Sequence, residues 1–111
     1  MTILVKKFGG TSVGSIERLH NVADIIIKAQ QEHYKIVAVV SAMNGETDRL
    51  IALAQQAVAV PEPREYDALV ATGEQISMSL LSMILNARGH PTRSYNGSQA
   101  GIQTDNQHKK A

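Results

Sequence analysis

The residues best suited to chemistry lie in the turn after the first apolar run of this 111-residue chain. That run ends at Phe8 and indicates a buried strand, and Gly9, Gly10 and Ser12 follow it. Paired glycines can adopt backbone angles closed to other residues and let a ligand approach the main chain. The helical pattern that comes next would offer its N-terminus to an anion, and Lys7 could add a positive charge beside a phosphoryl group. The stretch therefore predicts a phosphate-binding turn, with a plain turn as the alternative, because it matches neither a Walker A loop nor GxGxxG.

A second polar turn follows the next apolar run. Residues 35–41 form a continuous β-branched stretch of the kind that is buried on both faces in a parallel sheet. Because ligands collect at the carboxyl ends of strands in open α/β sheets, we expect the hydroxyls of Ser41 and Thr47 to face a substrate beside the first turn. The structural alternative is that Thr47 caps a helix over residues 48–60 and that Ser41 only closes a turn.

One carboxylate is out of place on the long helix predicted for residues 64–88. At about 100° per residue, Glu74 falls beside Val70 and Met78 on an apolar face, away from the polar arc. A buried charge is costly unless it has a partner, so Glu74 predicts a specific ligand, with a structural ion pair as the alternative. The main apolar stripe of this helix is predicted at Leu69, Gly73, Ile76, Leu80 and Ile84, widened by Val70, Leu81 and Leu85.

The remaining predicted helices and strands determine the fold in which these residues lie. A helix with Ser15 as its cap is predicted to end near Gln31, which makes the first 41 residues a strand–helix–strand unit of a parallel sheet. A brief strand is predicted for residues 92–95 and a tight turn at Asn96 and Gly97, whereas residues 99–105 are ambiguous. The pattern therefore predicts an α/β fold.

Composition removes several classes of function. Hydrophobic residues make up 43% of the chain and charged residues 19%, which is typical of a globular domain. A net charge of +1 indicates no basic surface of the kind that binds nucleic acid. Without cysteine, the chain can form neither disulfides nor thiolate metal sites. The four histidines lack ligand spacing, so we predict no metal site. No apolar run approaches a membrane span and no signal-peptide core is present, so we expect no membrane partner and a cytoplasmic location.

Four motifs in order give the chain a specific resemblance. They are Lys7-Phe8-Gly9-Gly10-Thr11-Ser12-Val13, then Val40-Ser41-Ala42-Met43 through Thr47-Asp48-Arg49-Leu50, then Thr72-Gly73-Glu74-Gln75-Ile76-Ser77, and Ser94-Tyr95-Asn96-Gly97-Ser98-Gln99-Ala100-Gly101-Ile102. Together they make the chain similar, over essentially its whole length, to the aspartokinases (aspartate kinases) of the amino-acid kinase family. The resemblance implies a three-layer α/β/α sandwich with a mainly parallel sheet.

The resemblance also implies an activity, which is phosphoryl transfer from ATP, with its Mg²⁺, to the side-chain carboxylate of L-aspartate. The product would be 4-phospho-L-aspartate, the entry to lysine, threonine and methionine. Lys7 and the turn of Phe8, Gly9 and Gly10 would hold the ATP phosphates, and Ser12 would assist. The substrate side of the site would be Ser41, Thr47 and Glu74, with Glu74 on the α-amino group of aspartate. Lys7 and Glu74 are the residues to which the resemblance gives a catalytic role. We expect the two neighbouring strand ends to form a single pocket that both residues line.

The chain departs from this family in length. Residues 1–111 correspond to the N-terminal part of the kinase domain, without the nucleotide-base half or the regulatory ACT domains. We therefore expect these residues alone to be inactive, to leave apolar surface uncovered and to form a homo-oligomer. Two alternatives stay open, a family member that acts on glutamate, acetylglutamate or a nucleoside monophosphate, and a non-catalytic assembly module.

Overall fold

A computed structural model describes residues 2–96 as two strands and three helices. Their bounds are β1 (Thr2–Phe8), α1 (Ile16–Gln31), β2 (Tyr34–Val40), α2 (Glu46–Ala57) and α3 (Pro63–Ala87). The predicted strand–helix–strand unit is therefore confirmed. The predicted end of α2 is wrong by three residues, because Val58 already has an extended backbone and ends the helix after Ala57.

The two strands pair in parallel along their whole length, from Thr2 opposite Tyr34 to Phe8 opposite Val40. Side chains alternate between the faces of a strand, so this register sorts them into two sets. The helix-covered face carries Leu4, Lys6, Phe8, Ile36, Ala38 and Val40. The open face carries Ile3, Val5, Lys7, Lys35, Val37 and Val39, all of which are exposed.

The hydrophobic core lies between the helix-covered face and the helices α1 and α3. It consists of Phe8, Val13, Leu19, Val22, Ala23, Ile26, Leu81 and Leu85, with Ile36, Ala38 and Val40 of β2 packed against it. The third helix, α2, packs on α3. Within residues 2–96 the helices thus cover one face of the sheet, which accounts for two of the three layers that the fold class implies.

The apolar stripe of α3 agrees with the prediction at Gly73, Leu81 and Leu85, and it departs from it at two positions. Ser77 is buried although it was not predicted in the stripe, whereas Ile76 is 42% exposed. The small residues explain the difference, because Gly73 and Ser77 let the helix approach its neighbours more closely than a larger side chain would. Ser77 is fully buried and its hydroxyl lies 3.5 Å from the carbonyl oxygen of Gly73.

Helix α3 is long and apolar, which bears on the expectation that the chain has no membrane-spanning segment. Over an 18-residue window its mean hydropathy reaches 1.4, so its length and composition alone would allow it to cross a membrane. Core helices of globular domains meet the same criterion, and α3 packs against both α1 and α2. Only 22% of that window is buried within residues 2–96, so these contacts account for part of its apolar character.

Helices α1 and α2 begin with different kinds of N-terminal cap. Ser15 caps α1, since its hydroxyl accepts a hydrogen bond from the backbone N–H of Arg18 at 3.2 Å. Helix α2 begins after Gly45, which has a left-handed backbone (φ 82°) and makes no side-chain cap. Thr47 lies inside the first turn of α2, so the alternative that Thr47 caps this helix is wrong.

This difference gives a matched pair of substitutions. Ser15→Ala should lower the free energy of unfolding by about 1 kcal/mol, because the cap hydrogen bond is lost. Thr47→Ala should leave it within about 0.5 kcal/mol, because Thr47 is exposed and caps nothing. Urea denaturation followed by circular dichroism measures both. Equal losses at the two positions would contradict the assignment of the caps.

After α3 the chain runs without regular structure as far as Asn96. Thr92 is held by Asn86, which accepts from the Thr92 N–H at 2.7 Å and donates to its carbonyl at 3.1 Å. The predicted strand at residues 92–95 is therefore wrong, since this segment is bound by a side chain and forms no ladder within residues 2–96. The predicted turn at Gly97 and the ambiguous residues 99–105 lie outside the described residues.

Candidate functional site

The turn after β1 is a tight, helix-like coil of main chain. The N–H groups of Ser12 and Val13 both donate to the carbonyl of Gly9, at 3.0 and 3.3 Å. The N–H groups of Gly10 and Thr11 donate no hydrogen bond to any residue between 2 and 96. Two adjacent free N–H groups at a strand end are suited to an anion such as a phosphate.

The two glycines serve this turn in a different way from the one expected. Neither Gly9 nor Gly10 has a positive φ, so no unusual backbone angle requires them. A Cβ on Gly9 would meet nothing within 4 Å. What glycine provides here is open space above the main chain. The helix N-terminus is also less available than expected, because Ser15 already binds the Arg18 N–H.

The turn after β2 lies directly against the first one. The Ser41 N–H donates to the carbonyl of Phe8 at 3.1 Å, which extends the strand pairing by one step. A Cβ on Gly10 would lie 3.5 Å from the carbonyl oxygen of Ala42, and one on Gly14 would lie 3.4 Å from the Cβ of Asn44. The two turns therefore form one continuous surface at the carboxyl end of the sheet, as the sequence predicts.

Helix α3 reaches this surface through a glycine. A Cβ on Gly73 would lie 3.0 Å from the Cβ of Ala42, 3.2 Å from Cδ1 of Leu50 and 3.4 Å from Cγ of Glu46. No side chain fits there without displacing a neighbour. Gly73 thus fixes α3 against the second turn and against the start of α2, and it brings the next residue, Glu74, to the same end of the molecule.

Glu74 lines a cavity between β2, α3 and the segment that follows α3. The cavity has a volume of about 650 Å³, and Gln75, Ser82, Arg93 and Tyr95 also line it. Glu74 itself is exposed, so the expectation that an apolar helix face buries this carboxylate is wrong. Leu81 and Leu85 lie on the same side of α3 and are buried, but nearer the start of the helix this side opens on the cavity, and no element within residues 2–96 covers Glu74 there. The carboxylate faces an open cavity wall.

Lys7 lies on the other side of the sheet. It alternates with Phe8, which is buried beneath α1, so its side chain belongs to the open face. The expectation that Lys7 and Glu74 line one shared pocket is therefore not met by residues 2–96. The two side chains come from opposite faces of the sheet and could approach a common ligand only around its carboxyl end.

The other predicted site residues occupy this same end of the sheet. Ser12 and Thr47 are exposed, and Ser41 is half-buried beside its bond to β1. Phe8 is 8% exposed and packs in the core, so only its main chain can take part in a site. Neither Gly14 nor Gly73 was predicted as a site residue, although a glycine inside a helix, as at Gly73, is a signal of close packing.

One ion pair borders the site. Arg49 binds Glu46 through two hydrogen bonds, from Nη2 at 2.6 Å and from Nε at 3.1 Å. This hydrogen bonding lowers the pKa of Glu46 from its ordinary value and raises that of Arg49. The Arg49 guanidinium is thus engaged with a carboxylate. Among residues 2–96, no group of three or more His, Asp and Glu side chains is arranged to hold a metal ion.

A second ionic cluster ties the end of α3 to α1. Arg88 bridges Asp24 and His20, with its Nη2 2.7 Å from Nδ1 of His20. Arg88→Met should lower the free energy of unfolding by about 1 kcal/mol, since the pair is partly exposed but joins distant parts of the chain. Arg49→Met, which breaks the local pair with Glu46, is the control and should leave the urea midpoint nearly unchanged. A larger effect at Arg49 than at Arg88 would contradict this interpretation.

A parallel sheet whose two strands end in adjacent polar turns is typical of α/β proteins that bind a ligand at the carboxyl ends of their strands. The model of the amino acid kinase family matches residues 2–111, and the chain belongs to that family. Its α/β fold is that of the N-terminal portion of an amino-acid kinase domain.

The relatives that the chain resembles carry a more specific name. Over 111 residues it is 52% identical to the aspartokinase of Pseudomonas aeruginosa and 49% identical to aspartokinase 2 of Bacillus subtilis. In both cases the match covers all of this chain but only 27% of the relative.

Solved structures agree with this. The aspartate kinase of Synechocystis superposes with a TM-score of 0.84 at 47% identity, over 89% of this chain and 17% of that one. The Escherichia coli aspartokinase III, solved with aspartate and ADP, gives a TM-score of 0.68 at 24% identity, over 80% of this chain and 30% of that one, which shows a shared fold.

Proposed function

We propose that this chain is the phosphate- and acceptor-binding part of an ATP-dependent aspartate kinase. The observation that carries the proposal is the junction of three elements, where the turn after β1, the turn after β2 and Gly73 of α3 meet at one end of the sheet. The names of relatives at about half identity support aspartate as the acceptor.

The protein forms no covalent bond with the substrates in the proposed reaction. An oxygen of the aspartate side-chain carboxylate attacks the γ-phosphorus of ATP, and the bond from that phosphorus to the bridging oxygen breaks. ADP leaves with the electron pair, and the product is an acyl phosphate, 4-phospho-L-aspartate. Because positioning and charge stabilisation carry most of such a transfer, the chain's task is to hold the two reactants at one sheet edge.

The phosphate side of this site is the first turn. The free N–H groups of Gly10 and Thr11 would donate to phosphate oxygens, and the open space at Gly9 admits them to the main chain. Lys7 would neutralise the charge that develops on the transferring group. Ser12, exposed in the same turn, would add a hydroxyl donor. Mg²⁺ would arrive with ATP and supply further charge neutralisation.

The acceptor side is the second turn and the wall of α3. Ser41 and Thr47 present hydroxyls near the carboxyl end of β2, and Glu74 would pair with the α-ammonium group of aspartate. An exposed carboxylate in an open cavity is suited to a soluble, zwitterionic substrate, because the substrate can reach it directly from water.

The acceptor is tested in a chimera, in which these 111 residues replace the matched stretch of the Pseudomonas aeruginosa aspartokinase. ADP release is measured with aspartate, glutamate, acetylglutamate and a nucleoside monophosphate in turn. Aspartate should give a rate about 100-fold above glutamate, because one extra methylene in a fitted site is worth about 10- to 200-fold, and the other acceptors should be slower still. A comparable rate with glutamate would favour the other family members named above.

The non-catalytic alternative has one observation in its favour, which is the uncovered open face of the sheet. If the chimera binds no nucleotide by calorimetry, this chain acts in assembly only. Inactivity of the 111 residues alone, a homo-oligomeric state and a cytoplasmic location remain predictions from the sequence.

A further inference from the structure

The turn after β2 has an asparagine followed by a glycine at its centre. The Glu46 N–H donates to the carbonyl of Met43 at 3.0 Å and closes the turn around Asn44 and Gly45. Gly45 has φ 82° and ψ -13°, the values of the third residue of a type II turn. Glycine is favoured at this position because it has no Cβ.

The peptide unit between Asn44 and Gly45 is not held by hydrogen bonds. Within residues 2–96, the Asn44 carbonyl accepts none and the Gly45 N–H donates none. The Asn44 side chain is exposed, and its amide makes no hydrogen bond to these residues either. A Cβ on Gly45 would meet nothing within 4 Å. Rotation of this peptide unit is therefore opposed neither by a hydrogen bond nor by a packed side chain.

This freedom leaves the Asn44 amide open to attack by the main chain. After losing its proton to a base in the solvent, the Gly45 nitrogen can bond to Cγ of Asn44. The bond from Cγ to Nδ2 then breaks, and the amide nitrogen leaves with the electron pair and takes up a proton, as ammonia. Water opens the resulting succinimide ring at either carbonyl, which gives an aspartyl or an isoaspartyl residue. The net reaction consumes water and releases ammonia.

Asn86 shows the opposite situation. Its side chain accepts a hydrogen bond from the Thr92 N–H at 2.7 Å and donates one to the Thr92 carbonyl at 3.1 Å. Its main chain lies inside α3, and Ala87 follows it. Both hydrogen bonds and the last turn of the helix would have to open before a nitrogen of the main chain could reach its amide. The two asparagines therefore differ in structure as well as in the residue that follows.

We propose that Asn44 and Gly45 form a site of spontaneous deamidation in the folded protein, with water as the co-reactant. The modification places a new carboxylate in the turn after β2. A Cβ on Gly14 would lie 3.4 Å from the Cβ of Asn44, so this carboxylate also borders the turn after β1. The modification itself is independent of the activity proposed above.

Peptide mapping of the chimera tests the proposal. Trypsin releases Asn44 in the peptide 36–49 and Asn86 in the peptide 65–88, and neither peptide contains another asparagine. A second Asn-Gly pair, at Asn96, falls in a different peptide and is measured separately. Loss of the amide is followed by mass spectrometry at mildly alkaline pH, in native buffer and in guanidinium chloride. Circular dichroism establishes beforehand that the native sample is folded.

The ratio of the two rates gives the protection that folding provides, whatever residue follows each asparagine. Folding should slow the loss at Asn44 by less than about threefold, because an exposed turn without hydrogen bonds opens at little cost. It should slow the loss at Asn86 by at least about tenfold, because two hydrogen bonds must break first. Equal protection of the two peptides, or an Asn44 amide that persists in the native protein, would overturn the proposal.

The effect of the new carboxylate on the reaction rests on the proposed function. Because both reactants are anions, Asn44→Asp in the chimera should raise the KM values for aspartate and ATP about two- to fivefold relative to Asn44→Gln, as weak repulsion between exposed like charges predicts. On ageing, the KM values of the parent chimera should rise, whereas those of Asn44→Gln should not, because a glutamine would have to close a larger ring. Equal KM values for the two variants would contradict this effect. A chimera without activity would speak against the proposed function and leave the mapping result intact.

Discussion

Replacing Lys7 by alanine in the chimera should lower kcat by about 10²- to 10³-fold, the range found when one preorganised charge-stabilising group is removed from a reacting centre. The KM for aspartate should change less than about threefold, because an interaction realised in the transition state affects kcat and leaves substrate binding alone. The structure sharpens this expectation. Lys7 lies on the open face of β1, whereas Glu74 lines a cavity between β2, α3 and the segment after α3. Steady-state ADP release at varied aspartate measures both constants.

The control for Lys7 is Lys35→Ala. Lys35 is also exposed on the open face, but it pairs with Ile3 at the opposite end of the sheet from the glycine turn. This variant should retain wild-type kcat. A similar loss at Lys35, or a Lys7 variant with near-normal kcat, would exclude a direct role of Lys7 in phosphoryl transfer.

Gly73→Leu should be the most destabilising single substitution on α3. A Cβ at this position would already lie 3.0 Å from the Cβ of Ala42, and the further atoms of leucine would have to displace Leu50 or the helix itself. Overpacking of this kind costs about 2–3 kcal/mol of unfolding free energy. Gly73→Ala should cost less, because about 1 kcal/mol of gained helix propensity offsets part of the contact. Urea denaturation of the 111-residue chain measures the loss.

Ser79→Leu provides the comparison for Gly73, since Ser79 is exposed on the same helix. It adds a leucine of the same size where nothing is crowded, and it should stay within about 0.5 kcal/mol of the parent. If both variants unfold at the same urea concentration, the close approach of α3 to Ala42 does not contribute to stability.

The parts of the fold that the sequence predicted are those decided locally. The strand β2 and the Ser15 cap of α1 depend on neighbouring residues, and both are confirmed, although β2 is covered on only one face within residues 2–96. The meeting of the two turns also followed from a general rule, because parallel strands present their carboxyl ends at one edge.

The errors arise where tertiary contacts override local pattern. Helical periodicity alone could not show that Ser77 is buried while Ile76 is exposed. Nor could it show that no element within residues 2–96 covers the side of α3 on which Glu74 lies, so that Glu74 is exposed. The face on which Lys7 lies likewise depends on which set of β1 side chains the helices cover, and that is decided by packing around Phe8.

The segment after α3 shows a third limit. Residues 92–95 have strand-like composition, but Asn86 binds both backbone groups of Thr92 that a ladder would use. Side-chain hydrogen bonds to the main chain compete with sheet formation in this way, and the competition is not visible in a propensity pattern.

The central claim is that the carboxyl end of this sheet holds an amino acid through Glu74. Its most direct test is aspartate kinetics of Glu74→Gln in the chimera, beside Gln75→Ala, a neighbour that lines the same cavity. Loss of a charged hydrogen-bond partner should raise the KM for aspartate about 10- to 100-fold with kcat within about threefold, whereas Gln75→Ala stays near the parent. An unchanged KM for the Glu74 variant, or an equal rise in both variants, would contradict the account.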